Sequence, residues 1–213
     1  MGKFCLILVF IVAACSFVEA QKKCHFKQKR PHNKCPNLIN AGLTFDEKKR
    51  ILRQHNALRY RVAKGLEKAG SPGPQPRAVN MRLLEWDTEL EAAAQQWANG
   101  CLFEHDPCNH VGRYSFGQNL GLEATTGNVK SLKLEQAVRR WYDEVKYFDK
   151  RNVQNYRHNP KYGHYSQLVW AETNKIGCGV TRYQEKGYKK LYLVCNYGPA
   201  GNTRNFPVYK SHK

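Results

Sequence analysis

The sequence predicts an α+β fold cross-linked by disulfides. Three stretches repeat apolar residues at helical spacing, the last third is rich in β-prone Tyr, Val and Leu, and six cysteines follow a leader-like start. Of the 213 residues, 41% are hydrophobic, enough to build a core. No fixed-period repeat supports a solenoid. Beyond the N-terminus no apolar run reaches the roughly 18 residues of a membrane span.

The elements follow in order. Met1-Gly2-Lys3 is basic, residues 4–18 are almost wholly apolar, and Val18-Glu19-Ala20 is a small-x-small site. That pattern is a secretory signal peptide over 1–20. Its removal takes Cys5 and Cys15. Cys24, Cys35, Cys101, Cys108, Cys178 and Cys195 remain, and in a secreted chain they are expected to form three disulfides. No C-x-x-C or H-x-x-x-H spacing marks a structural zinc site, and there is no Asn-x-Ser/Thr sequon.

Residues 21–43 read as a basic, cysteine-containing arm, and 44–213 as the folded domain. Thr44-x-x-Glu47 is a capping box that opens a helix, with Ile51, His55, Leu58 and Val62 inward. Residues 71–76, SPGPQP, form a rigid loop. Asp87 caps a second helix that buries Leu90, Ala94, Trp97 and Cys101 and ends at Gly100. Residues 102–130 show little regular pattern and are expected to be a long loop. A third helix is expected over about 131–147, with Leu134, Val138, Trp141 and Val145 inward. Runs 164–170, 176–183 and 189–197 are expected strands. The last two form a hairpin. With Lys186-Gly187 as a two-residue turn, Glu185 pairs with Tyr188, and Cys178 falls directly opposite Cys195. Such Cα atoms lie about 4.5–5.5 Å apart, within disulfide reach.

In the last third a family becomes recognisable. The run from Gly163 (GHYSQLVW) and the run from Tyr192 (YLVCNYGPAGN) resemble the two signatures of the CAP superfamily of cysteine-rich secretory proteins, antigen 5 and pathogenesis-related proteins. His55-Asn56, with Arg59, resembles the first-helix motif, and Gly117-Gln118-Asn119-Leu120 the Gly-Glu/Gln-Asn motif. Within the superfamily, Gly73-Pro74-Gln75-Pro76 and Phe103-Glu104-His105-Asp106 resemble the insect antigen 5 group of venom and salivary allergens. The likeness spans residues 42–209 or so. It implies a three-layer α-β-α sandwich around a mainly antiparallel sheet. It also implies the pairs Cys24–Cys108 and Cys35–Cys101, where the sequence alone equally allows Cys101–Cys108. Two departures stand out: wasp and ant members usually carry eight mature cysteines, and Thr203 replaces an apolar or Asn/Asp residue.

The family carries a cleft tetrad, and its counterparts here are His105, Gln118, Glu144 and His164. Two imidazoles and a carboxylate could hold Zn²⁺ with an open position. An amide oxygen is a poor zinc ligand, so Gln118 favours a hydrogen-bonded polar cluster that needs no cofactor. Ser166 lies two residues from His164. On a strand the two share a face but stand roughly 6.6–7 Å apart, beyond the reach of a nucleophile–base pair. Tyr142, Tyr147 and Phe148 could line a groove for an apolar ligand, since family members bind sterols and fatty acids, although core packing explains such aromatics equally.

The net charge is +18, which favours polyanionic glycans or anionic lipid. No nucleic-acid motif appears. The expected protein is a secreted monomer of the antigen 5 type, not an enzyme. It would bind a host or extracellular protein, a lipid, a glycan, or a small apolar molecule such as a sterol or fatty acid. The alternatives are a metal-dependent hydrolase or redox protein using the histidine pair, and an extracellular defence protein.

Overall fold

The structure is a computed structural model and describes Pro31 and residues 35–211. The expected signal peptide and most of the arm, Cys24 included, lie outside the described residues. Strand β1 (Leu38–Ala41) precedes helix α1 (Phe45–Ala63). The capping box forms as predicted. Thr44 Oγ1 accepts from the Glu47 amide, and the Thr44 amide donates to Glu47 Oε2 at 2.8 Å. Two donors otherwise left without partners are thereby satisfied. The short β2 (Glu85–Trp86) leads into α2 (Thr88–Ala98). There Asp87 Oδ1 accepts from the Glu89 and Leu90 amides, each at 3.0 Å.

The predicted loop over 102–130 is a correction. It contains the small hairpin β3 (His110–Val111) and β4 (Tyr114–Ser115), then a nine-residue strand, β5 (Gly117–Thr125). The third helix is shorter than expected. α3 covers Leu134–Asp143, with 3-10 turns at Val129–Ser131 and Glu144–Tyr147. The run expected to be a strand at 164–170 is helix α4 (Gly163–Leu168). Its start is stabilised from outside, because the His164 and Tyr165 amides both donate to Glu144 Oε2, at 3.0 and 3.3 Å. A carboxylate supplied by another segment satisfies helix N-terminal donors and so overrides local β-propensity.

β6 (Lys175–Glu185) and β7 (Tyr188–Gly198) form the predicted hairpin in the predicted register. Cys178 and Cys195 are bonded, with Cα atoms 4.1 Å apart. Cys35 and Cys101 are bonded as the resemblance implied. Cys108 is also disulfide-bonded; its expected partner, Cys24, lies outside the described residues. The sheet order is β1-β6-β7-β5, antiparallel throughout, with β2 added parallel to β6.

Alternation along the strands divides the core. Val180, Leu191 and Leu193 face α1, α3 and α4, meeting Ile51, Val138 and Leu168. Tyr183, Tyr192 and Val194 face α2, meeting Ala94 and Trp97. The result is the expected α-β-α sandwich. α2 rides directly on strand backbone. A Cβ at Gly177 would lie 2.1 Å from the Glu91 nitrogen, and one at Gly179 would lie 2.3 Å from the Gln95 Cα, so only glycine admits this approach.

Arg59 is fully buried and donates to the carbonyls of Arg82, Leu168, Trp170, Ala171 and Thr173. Burial lowers its pKa to about 9, which leaves it cationic at neutral pH. It clamps the segment after α4 to α1.

Candidate functional site: a two-histidine cleft

Once β5 is a strand, Gln118 stands opposite Asn196 on β7. Its Nε2 donates to Asn196 Oδ1 at 3.0 Å. Its Oε1 accepts from the Asp106 amide at 3.0 Å and faces His105 Nδ1 at 3.1 Å. These bonds fix the amide orientation and assign hydrogen to Nδ1 of His105. The loop carrying His105 is tied down just before it, where Trp97 Nε1 donates to the Glu104 carbonyl at 2.7 Å. Burial pushes the Asp106 carboxyl up, partly offset by the Cys108 amide that it accepts.

His164 forms the second pair. Its Nδ1 lies 2.6 Å from Glu144 Oε1, while the other carboxylate oxygen holds the start of α4. A carboxylate can only accept, so Nδ1 carries the hydrogen. The His164 ring stacks on Trp141 at 6.1 Å between centroids and 22° between planes. Asn119 adds a third hold, donating to the His164 carbonyl at 3.2 Å and to the Tyr197 hydroxyl at 3.2 Å.

The tetrad is therefore arranged as two orienter–imidazole pairs. Gln118 serves His105 and Glu144 serves His164, the way outer-shell partners set imidazole orientation. That leaves two Nε2 atoms to offer a metal, where a catalytic zinc site uses three protein ligands. Among the described residues no three His, Cys, Asp or Glu side chains come together as a metal-ligand set. As placed, these residues fit a hydrogen-bonded polar cluster better than a three-ligand zinc site. The cavity beside His164 is about 180 Å³, lined by Leu120, Glu123, Ala137, Arg140, Trp141 and Glu144 among others. That is below the roughly 300 Å³ where small-molecule pockets begin.

Ser166 is on a helix, not on a sheet, and it is fully buried. Its Oγ lies within hydrogen-bonding distance of Asn202 Oδ1 (2.7 Å), the Tyr162 carbonyl (3.1 Å), and the Tyr156 hydroxyl and Gly163 carbonyl (3.2 Å each). The expected aromatic groove is also corrected. Tyr142 and Phe148 have no exposed surface. Tyr142 donates to Glu67 Oε2 at 2.7 Å, and Phe148 packs edge-on against Tyr162. Of the three, Tyr147 alone is exposed. Sequence reading misses the roles of Asn196, which holds Gln118 of β5, and of Trp141, whose ring stacks on His164 of α4, because 102–130 reads as loop and 164–170 as strand.

A disulfide-stapled α-β-α sandwich, with one imidazole oriented by Gln118 of β5 and a second oriented by Glu144 where α3 meets α4, is the class these features define. The chain belongs to the cysteine-rich secretory protein family (CAP), whose model matches residues 52–197. It is 46% identical over 195 residues to venom allergen 3 of Solenopsis invicta, covering 89% of this chain and 83% of that protein. It is 43% identical to venom allergen 5.01 of Dolichovespula maculata, covering 98% and 97%. Among solved structures, NaASP2 with Zn²⁺ superposes with a TM-score of 0.67 at 33% identity, covering 81% of this chain and 89% of that one.

Proposed function

We propose that the chain is a secreted, non-catalytic recognition protein of the venom- or saliva-allergen type, acting by binding a host component. One observation carries the reading. Among the described residues no hydroxyl or thiol is hydrogen-bonded to either cleft imidazole; their Nδ1 atoms face Gln118 and Glu144. Acyl or phosphoryl hydrolysis through a side-chain nucleophile needs that nucleophile within about 3 Å of its base. Ser166 is committed elsewhere, and the described cysteines are disulfide-bonded. Secretion is supported by the leader-like first twenty residues and by the disulfides, which persist in oxidising compartments. No helix among the described residues is long and apolar enough to cross a membrane. The apolar-ligand alternative loses the seat proposed for it, since Tyr142 and Phe148 belong to the core.

The test compares purified full chain with a His164→Ala variant on peptide, ester and phosphoester substrates, with and without added zinc. Matching background rates are expected. Turnover that disappears in the variant overturns the reading in favour of an enzyme. Transcript confined to a venom or salivary gland is expected; broad fat-body transcript would favour the defence role instead.

A further inference from the structure

Residues 146–161 carry five exposed cations (Lys146, Lys150, Arg151, Arg157 and Lys161) against one acidic residue, Asp149. The segment is ordered by its own buried anchors. Phe148, Val153 and Tyr156 sit in the core. Its backbone is stitched on both sides: the Ser71 amide donates to the Phe148 carbonyl at 3.0 Å, and the Val208 amide to the Val153 carbonyl at 2.8 Å. Tyr156 exchanges bonds with Phe206 and Asn205, at 3.0 and 3.1 Å. Arg157 and Arg204 each directly neighbour, in sequence, a residue of that exchange (Tyr156 and Asn205), and both are exposed. Arg151 is spent on Asp149. Neither Arg157 nor Arg204 forms an ion pair with any described residue. At Arg157 opens a polar cavity of about 370 Å³, lined by Asp149, Arg151, Asn152, Asn155 and Arg157.

We propose that this surface docks a sulfated glycosaminoglycan chain, with Arg157 and Arg204 as its main contacts. Guanidinium forks suit sulfo groups, whose oxygens accept paired N–H bonds as carboxylates and phosphates do. The Asn152 and Asn155 amides can serve sugar hydroxyls. Because the cations are already held by a packed backbone, little loop ordering opposes binding. A flat anionic bilayer fits less well, because the cavity is concave and the side chains that line it are all polar or charged. The proposal deepens the recognition reading by naming the chemistry of one partner.

The experiment titrates a heparin octasaccharide into the full chain at several salt concentrations. An Arg157→Gln/Arg204→Gln variant is compared with a Lys49→Gln/Lys186→Gln variant that removes equal charge elsewhere. The two arginine side chains are exposed and form no hydrogen bond or ion pair with any described residue, so matched melting curves are expected. The arginine variant should bind at least about tenfold more weakly at physiological salt. Its slope of log affinity against log salt should fall by about one for each contact removed. The lysine variant should change less than about threefold. Equal losses in both variants, no loss in the arginine variant, or equal binding of desulfated octasaccharide would overturn the proposal. So would arginine-dependent binding to phosphatidylserine vesicles without octasaccharide binding. Substrate turnover in the preceding assay would end the non-catalytic reading but leave this result standing.

Discussion

His55 and Tyr197 lie 142 positions apart and are joined by a 2.8 Å hydrogen bond between Nε2 and the phenolic oxygen. His55 Nδ1 is 2.8 Å from the Ile51 carbonyl, an acceptor, so Nδ1 carries the hydrogen and Nε2 receives the Tyr197 proton. Asn119 continues the chain to the His164 carbonyl. A buried series of bonds thus runs from α1 to the backbone of the cleft histidine, and it requires His55 to be neutral.

That requirement makes stability depend on pH. Burial is the main cause that lowers the His55 pKa to about 4, from an unfolded value of 6.5; the Arg59 charge adds to it and the Ile51 carbonyl opposes it. Between these values the unfolded chain binds more protons, so stability is full above about pH 6.5 and falls as pH drops towards 4. The loss should reach about 3 kcal/mol. Urea melts from pH 7.5 to 4.5 should show this slope, and His55→Gln should flatten it. An unchanged slope in the variant would assign the effect to another group.

Arg59 offers a second test. Five carbonyls accept from its guanidinium, and lysine has three donors. Arg59→Lys should strand two buried acceptors and cost about 2–4 kcal/mol. The urea midpoint should fall with the m-value unchanged.

The contact between α2 and β6 predicts a sharp contrast between glycines. Gly179→Ala places a Cβ against helix backbone that has nowhere to yield, and should cost at least about 3 kcal/mol. At Gly112 the nearest atom to an added Cβ is a Glu89 side-chain oxygen at 3.6 Å. Gly112→Ala should change stability by no more than about 0.5 kcal/mol. Thermal denaturation of the two variants decides it.

The amide at 118 sets the behaviour of the cleft towards zinc. Gln118→Glu puts a carboxylate 3.1 Å from His105 Nδ1 in place of a neutral oxygen, and should raise zinc affinity at least about tenfold over the unaltered chain. Isothermal titration of both proteins checks this. Equal affinities would mean that the orienting side chain has no influence on the imidazole pair.

Much of this architecture was legible in the sequence, for identifiable reasons. The Thr44 and Asp87 caps are local chemistry. The Cys178–Cys195 bridge followed from counting outward from a two-residue turn. Where the reading failed, distant atoms decided. β5 reads as loop because 102–130 shows little regular pattern, yet it packs so closely on α3 that a Cβ at Gly121 would meet the Trp141 ring at 3.2 Å. α4 looked like a strand because Tyr, Val and Trp favour one, yet Glu144, 20 positions away, holds its first amides. The tetrad positions could be placed from motifs, but their division into two pairs depends on the Gln118–Asn196 register, which exists only once β5 is known to be a strand.

The missing side chains at Gly177 and Gly179 have an outcome beyond packing. With no cushion between helix and strand, a shift of the hairpin would carry α2 with it, then Trp97, then the Glu104 carbonyl bonded to its indole, and so the neighbouring His105. The imidazole of His105 is geared to the bridge-locked hairpin through α2, and that of His164 through Tyr197 and Asn119, so substitutions that loosen the β6–β7 ladder should disturb both histidines although neither lies on those strands.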